Sequence, residues 1–171
     1  LFQGLPKGDK MELIIQKAVE LGVKEIIPVA MTRSIVKLDD KRGLKKIERW
    51  QAISEAAAKQ SKRGIIPNIN SVMNFQNAVA FAQNMDINII PYELFRDMEA
   101  TKNTMAQIKP GMKIGVFIGP EGGIDDSEID LAIDNNIKQV SLGKRILRTE
   151  TAGIAALSII MYKLEEEGIQ G

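Results

Sequence analysis

This sequence of 171 residues contains no cysteine and no histidine. Without cysteine there is no disulfide, no thiolate metal site and no cysteine nucleophile. Without histidine the commonest general base is gone, and with it the Ser-His-Asp triad and most zinc chemistry. Acid–base work must fall to carboxylates, lysines, tyrosines or groups on a substrate. Aromatic residues make up 5% of the chain, which leaves no ladder of rings for stacking single-stranded bases. No apolar run approaches the ~20 residues of a membrane span; Ile154 to Met161 is far too short. No secretory signal is found, so the cytoplasm is the expected compartment. An excess of one charge is missing too: 23 lysines and arginines against 22 carboxylates leave a formal +1. That excludes a wholly basic nucleic-acid glove but permits a local basic patch.

Apolar residues at 44% and charged residues at 26% describe a globular chain, and its length suits one domain with a sizeable core. It opens on Leu1 rather than Met and is read as a fragment whose first residues form a strand. Asp9-Lys10-Met11-Glu12 has the spacing of a capping box. The helix behind it is expected to bury Leu13, Ile14, Ala18, Leu21 and the stem of Lys17, and to stop at Gly22. Val23 to Val29 reads as a buried strand, and this β-α-β opening favours a parallel sheet. A long helix over Gly43 to Lys62 carries Leu44, Ile47, Trp50, Ile53 and Ala57 on one face, with Gly64 closing it. Further strands are expected at Ile65 to Ile69, Ile87 to Pro91, Lys113 to Ile118 and Ile137 to Leu142. Helices are expected after Asn74, near Thr101, after Asp125 or Asp126, and from Thr149 or Glu150 to Glu167. The class is α/β: a mostly parallel open sheet.

Two late segments carry the functional signal. Gly119-Pro120-Glu121-Gly122-Gly123 follows the apolar run Ile114 to Ile118 and reads as a strand emptying into a turn that only small residues can make. Ser141-Leu142-Gly143-Lys144-Arg145-Ile146-Leu147-Arg148-Thr149-Glu150-Thr151-Ala152 reads as a strand end, a short basic loop and a helix start. Neither is a dinucleotide fingerprint, for the G-x-G-x-x-G spacing is absent, and Gly143-Lys144 lacks the Ser or Thr of a Walker loop. Taken alone, the glycine segment reads equally well as an ordinary tight turn. Two glycine-bearing strand ends in one parallel sheet point to one crevice.

Together these segments resemble the RsmE-like family of small-subunit ribosomal RNA uridine-N3 methyltransferases, in the SPOUT superfamily. The resemblance runs from about Leu5 to Lys163. It includes Lys7-Gly8-Asp9-Lys10-Met11, Gln16-Lys17-Ala18, Glu20-Leu21-Gly22-Val23, Arg33-Ser34, Glu55-Ala56-Ala57, Gln60-Ser61 and Arg63. It implies helices on both faces of the sheet and a C-terminal trefoil knot. It also implies S-adenosyl-L-methionine as methyl donor, small-subunit ribosomal RNA or the ribosomal particle as substrate, and a homodimer through the knot region and the last helix. Relatives carry a PUA-like RNA-binding domain, expected to be absent from this chain.

The resemblance assigns the donor cleft to three strand ends: Pro91 and Tyr92; Ile118, Gly119, Pro120 and Gly122; and Ser141, Leu142, Gly143, Ile146, Leu147, Thr151 and Ala152. Uridine N3 is protonated at neutral pH, so its proton must leave as the methyl arrives, and charge spreads onto the flanking carbonyl oxygens. A base near N3 and a cation near an oxygen are required. Glu93 and Glu121 are the candidate bases and Arg148 the candidate cation, its planar fork suiting an enolate oxygen. Each has a bland alternative: Glu121 as a brace for its own loop, Glu93 as a solvated turn residue, Arg148 as a partner of Glu150 or of a phosphate. Carbon-5 methylation usually needs a cysteine adduct, which this chain cannot form. Arg33, Arg63 and Arg145 are candidate RNA phosphate contacts, while Lys10 and Lys17 read as solvated charges. A non-catalytic nucleotide- or RNA-binding α/β module is the competing reading.

Overall fold

The computed structural model describes residues 1–35 and 40–169, apart from the side chains of residues 40–42, 167 and 169. Among the described residues, seven strands form one sheet: β1 (Phe2–Gly4), β2 (Glu25–Ala30), β3 (Asn68–Ile69), β4 (Met73–Asn74), β5 (Ile87–Pro91), β6 (Ile114–Ile118) and β7 (Lys138–Val140). Six helices among these residues connect and cover them: α1 (Lys10–Glu20), α2 (Asp40–Gln60), α3 (Phe75–Ala82), α4 (Met98–Ala106), α5 (Asp126–Asp134) and α6 (Thr149–Ile169). The strand order is β3-β2-β1-β6-β5-β7, and every pairing is parallel. β3 and β4 share one edge of β2, against Glu25 and Ile26 and against Val29 and Ala30 respectively.

Alternation along the strands sorts the core into two layers. Leu1, Ile26, Ile89, Val116 and Ile118 face one cluster with α1, α2 and α6. Phe2, Ile27, Val29, Ile90 and Phe117 face the other, under α3 and α5. Helices thus cover both faces. Four of the five phenylalanines meet in the second layer. Phe2 and Phe117 stack at 4.2 Å, with Phe81 and Phe75 edge-on to them. Scarce aromatic residues are therefore spent on the β1–β6 seam rather than on a surface.

Several local expectations shift. The Asp9 side chain makes no capping bond; Glu12 pairs instead with Arg49 of α2 at 2.8 Å. Leu13 is 43% exposed, and Met11, Ile15 and Val19 join Ile14 and Ala18 in the core. α1 is gripped between α2 and α6, which turns its inward face by about one residue. Leu44, at 63% exposure, lies off the buried face of α2, whereas Trp50 and Ala57 are buried. α2 stops at Gln60 and the chain reverses at Lys62, with φ +57, before Gly64 is reached. The strand at Ile65 shrinks to Asn68–Ile69, because Pro67 cannot donate to a ladder. β7 ends at Val140 because the Ser141 N–H turns to the Thr101 hydroxyl at 2.9 Å.

Arg63 is the largest correction. Its guanidinium donates to the carbonyls of Val19, Gly22 and Val23. It caps the carboxyl end of α1, where orphan carbonyls and the helix dipole both favour a cation. That use, and not a phosphate, accounts for it.

Two polar and steric contacts lock the centre of the sheet. In the β5–β6 pair, Asn88 lies beside Gly115, and its side-chain amide donates to Ala82 O at 2.8 Å. A Cβ at Gly115 would overlap Asn88 Oδ1 and crowd a Phe2 ring carbon at 3.2 Å. In β1, fully buried Gln3 donates from Nε2 to the Thr149 hydroxyl at 2.9 Å, and that hydroxyl donates to Gly119 O at 2.6 Å. Gly115→Ala is expected to destabilise by about 1–3 kcal/mol, the usual cost of overpacking. Thr149→Val, which removes one partner of the buried Gln3 amide and the hydroxyl donor to Gly119 O, is expected to cost about 1–3 kcal/mol. Urea unfolding of both variants checks this; either remaining at wild-type stability would remove that contact from the account.

Candidate functional site

A cleft of about 390 Å³ opens at the carboxyl ends of β5 and β6, against the first turn of α6. Its floor follows from β6. The strand ends at Ile118 and the chain turns sharply, with Gly123 N–H donating to Pro120 O at 3.0 Å. Gly119 cannot carry a side chain there, since a Cβ would come within 2.6 Å of Ile124 Cγ1. Ile118, Gly119, Pro120, Glu121, Gly123 and Ile124 line this side. Pro91 and Glu93 contribute from the end of β5, and Ile146, Leu147, Arg148, Thr149 and Ala152 from the segment entering α6. Ile146 is 80% exposed, an apolar flap over the opening. Thr149, buried beneath, clamps α6 to the glycine turn through Gly119 O.

The charges fall into two groups. Glu121 is committed: both carboxylate oxygens accept from Lys7 N–H, at 3.1 and 3.2 Å, and Lys10 Nζ lies 3.1 Å from Oε1. Burial pushes its pKa up, but bonds from its own backbone N–H, from Lys10 and from Lys7 outweigh that and hold it below the ordinary range. Glu121 is therefore ionised at neutral pH and a weak proton acceptor. Glu150 is committed too, its Oε2 lying 3.4 Å from the same Lys10 ammonium. Arg148 therefore does not pair with Glu150. Among the described residues, Arg148 and Glu93 make no ion pair, although both line the cleft. They are opposite charges left open to a ligand.

Not every expected residue reaches the wall. Tyr92 points its hydroxyl to Asp126 at 3.3 Å; burial and that carboxylate raise its pKa. Gly122 backs onto the loop after β2, where a Cβ would meet Arg33 Cβ at 3.0 Å. Ser141 is buried and spent on Thr101 and on Gly143. Gly143 makes its turn at φ +108, and Leu142 packs on the first core layer. Thr151 sits exposed on α6. Arg33 pairs with Asp125 at 3.3 Å, and its Nη1 reaches the region of Gly123 and Glu93 at the cleft rim. Arg145 is exposed beside the Ile146 flap. Arg63 lies at the far end of α1.

Sequence reasoning missed Lys10, Gly123, Ile124 and Thr149 in the cleft wall. For Lys10 a signal existed. It is the first residue of α1, where the helix dipole disfavours a cation, so a lysine there asks for carboxylate neighbours. Thr149 was legible only as a helix cap, since its buried partners come from segments remote in the chain.

Residues 1–161 match the family model described as RNA methyltransferase domain. The chain is 41% identical over 168 residues to ribosomal RNA small subunit methyltransferase E of Bacillus subtilis, covering 96% of this chain and 66% of that protein. The protein of the same name from Mesomycoplasma hyopneumoniae is 40% identical, over 89% of this chain and 64% of its own length. Among solved structures, ribosomal RNA small subunit methyltransferase E from Neisseria gonorrhoeae, bound to S-adenosyl methionine, superposes with a TM-score of 0.82. It is 32% identical, over 95% of this chain and 65% of that one. The chain thus spans slightly under two-thirds of the length of each of these three relatives. With nearly all its length inside that match, and with its glycine turn closed against the head of α6, this chain belongs to the RNA methyltransferase domain family.

Proposed function

We propose that this chain is the catalytic domain of an S-adenosyl-L-methionine-dependent methyltransferase acting on N3 of a uridine in small-subunit ribosomal RNA. The observation that carries the proposal is the cleft between the Gly119–Gly123 turn and α6, whose open charges are one arginine and one carboxylate. The residues present fit the donor. Ile118, Ile146, Leu147 and Ala152 give an apolar slot for a flat ring, and the side-chain-free turn brings main-chain groups close. When bound, the donor supplies an electrophilic methyl group on a sulfonium.

The remaining chemistry belongs to the chain's own residues. Glu93 takes the N3 proton, because the Glu121 oxygens are occupied by the Lys7 N–H and the Lys10 ammonium, which lower its basicity. Arg148 holds the carbonyl oxygen on which charge develops. Arg33 and Arg145 stand beside the opening, where phosphates flanking the target nucleotide would pass. Exposed apolar side chains, Ile146 at 80% beside the cleft, Leu94 at 69%, and Tyr162 at 70% farther along α6, support a homodimer that covers them. The β1-β6-β5-β7 order, with the head of α6 bonded back to β1 and β6, supports the threaded C-terminus of this superfamily. A ribosomal substrate is met in the cytoplasm, which is the compartment this reading implies.

Titration calorimetry of the folded chain with S-adenosyl-L-methionine tests the reading directly; no heat at millimolar donor would overturn it. Gly119→Val is expected to abolish that binding, since the added side chain overlaps Ile124 and narrows the floor. Arg148→Ala is expected to lower turnover on unmethylated small subunits by about 10²–10³-fold, as for loss of one oxyanion donor, with donor affinity nearly unchanged. An Arg148→Ala protein with wild-type turnover removes Arg148 from the reaction.

A further inference from the structure

Lys10 is spent in an unusual place. It is the first residue of α1, at the positive end of a helix, where a lysine is normally unfavourable. It also lines the cleft, with its side chain 30% exposed. Its ammonium stands between two carboxylates from segments far apart in sequence: Glu121 in the glycine turn at 3.1 Å, and Glu150 in the first turn of α6 at 3.4 Å. Glu121, which accepts from the ammonium, raises the Lys10 pKa despite some desolvation, and the Glu150 carboxylate adds to it. The side chains of Glu121 and Glu150 are only 24% and 17% exposed, so water screens them poorly from one another. Two more charges line the same cleft, Glu93 from beyond β5 and Arg148 from the entry to α6.

We propose that Lys10 is a positioning residue of the methyl-donor cleft: it bridges Glu121 and Glu150 so that the glycine turn and the head of α6 stay at the spacing the donor needs. This role rests on the methyl-donor function proposed for the cleft. The physical reason is charge balance. Without the ammonium, two partly buried carboxylates repel, one in the glycine turn and one in the first turn of α6, and those two segments separate. Glu150 would also lose its cation and compete for Arg148, two residues away, which the reaction needs unpaired. Lys10 thus protects both the shape of the cleft and the availability of its arginine without touching the reacting atoms.

The test compares the wild-type chain with Lys10→Met, Lys10→Arg, Glu150→Gln and the double variant Lys10→Met/Glu150→Gln. S-adenosyl-L-methionine affinity is read by calorimetry, and amide hydrogen exchange at Glu121, Gly122 and Gly123 is read without ligand. Lys10→Met is expected to weaken donor binding at least ~10-fold and to speed exchange in the turn by a similar factor, as for residues acting as one network. Lys10→Arg should restore most of both. The double variant should bind better than Lys10→Met, because one of the two repelling carboxylates is gone; a merely structural lysine would not produce that recovery. Lys10→Met binding within twofold of wild type, or a double variant no better than the single, overturns the proposal. If Lys10→Met does not fold, Lys10→Arg and Glu150→Gln decide: tight binding by the first and faster turn exchange in the second support it, and loss of binding by a folded Lys10→Arg, or unchanged turn exchange in Glu150→Gln, overturns it. A wild-type chain that binds no donor while turn exchange still responds to Lys10 defeats the methyl-donor reading and leaves the bridging role standing.

Discussion

One buried hydroxyl joins three parts of the chain that are remote in sequence. Thr149 Oγ1 receives the Gln3 amide from β1 and donates to Gly119 O at the end of β6. Gln3 is fully buried and Thr149 nearly so, so these bonds form away from water, where leaving either group unmade is expensive. The head of α6 cannot shift along the sheet without breaking them. The cleft wall formed by Leu147, Arg148 and Ala152 is therefore set by a polar contact beneath it rather than by the loop above. Apolar packing alone would give no such register, because it is non-directional.

Around that anchor the cleft divides its charges by task. The Lys10 ammonium stands between Glu121 and Glu150 and offsets part of their charge. Arg33 and Asp125 do the same at the rim. Among the described residues lining the cleft, Arg148 and Glu93 stay open. A chain with no histidine can still offer a cation and a proton acceptor in one pocket, provided other pairs absorb the surplus charge.

The strands at Ile87–Pro91 and Ile114–Ile118 and the Asn74 and Asp125 helix caps were legible in the sequence, because apolar runs and capping side chains act locally. The capping box at Asp9 failed because Glu12 found Arg49 on a neighbouring helix. Leu13 went outward because two helices, not one, decide which face of α1 is buried. In the site, the glycine turn, Ile146, Leu147 and Arg148 were found in the cleft, since their spacing follows a strand end. Ser141, Leu142 and Tyr92 were not, because their backbone or side-chain groups are taken up by Thr101, the core and Asp126.

What the sequence determined by itself was the chemistry available and the local geometry: no thiol, no imidazole, a parallel alternation of strands and helices, and a glycine turn after a buried strand. Those are properties of residue type and short-range spacing. Tertiary structure alone decided which charges would be neutralised and which left open. Arg63, read as a phosphate ligand, became a helix cap, and Lys10, read as a solvated charge, became the bridge between two cleft walls. The reason is physical: Coulomb energy and hydrogen bonding depend on distance in space, and the partners concerned lie 40 to 140 residues apart along the chain.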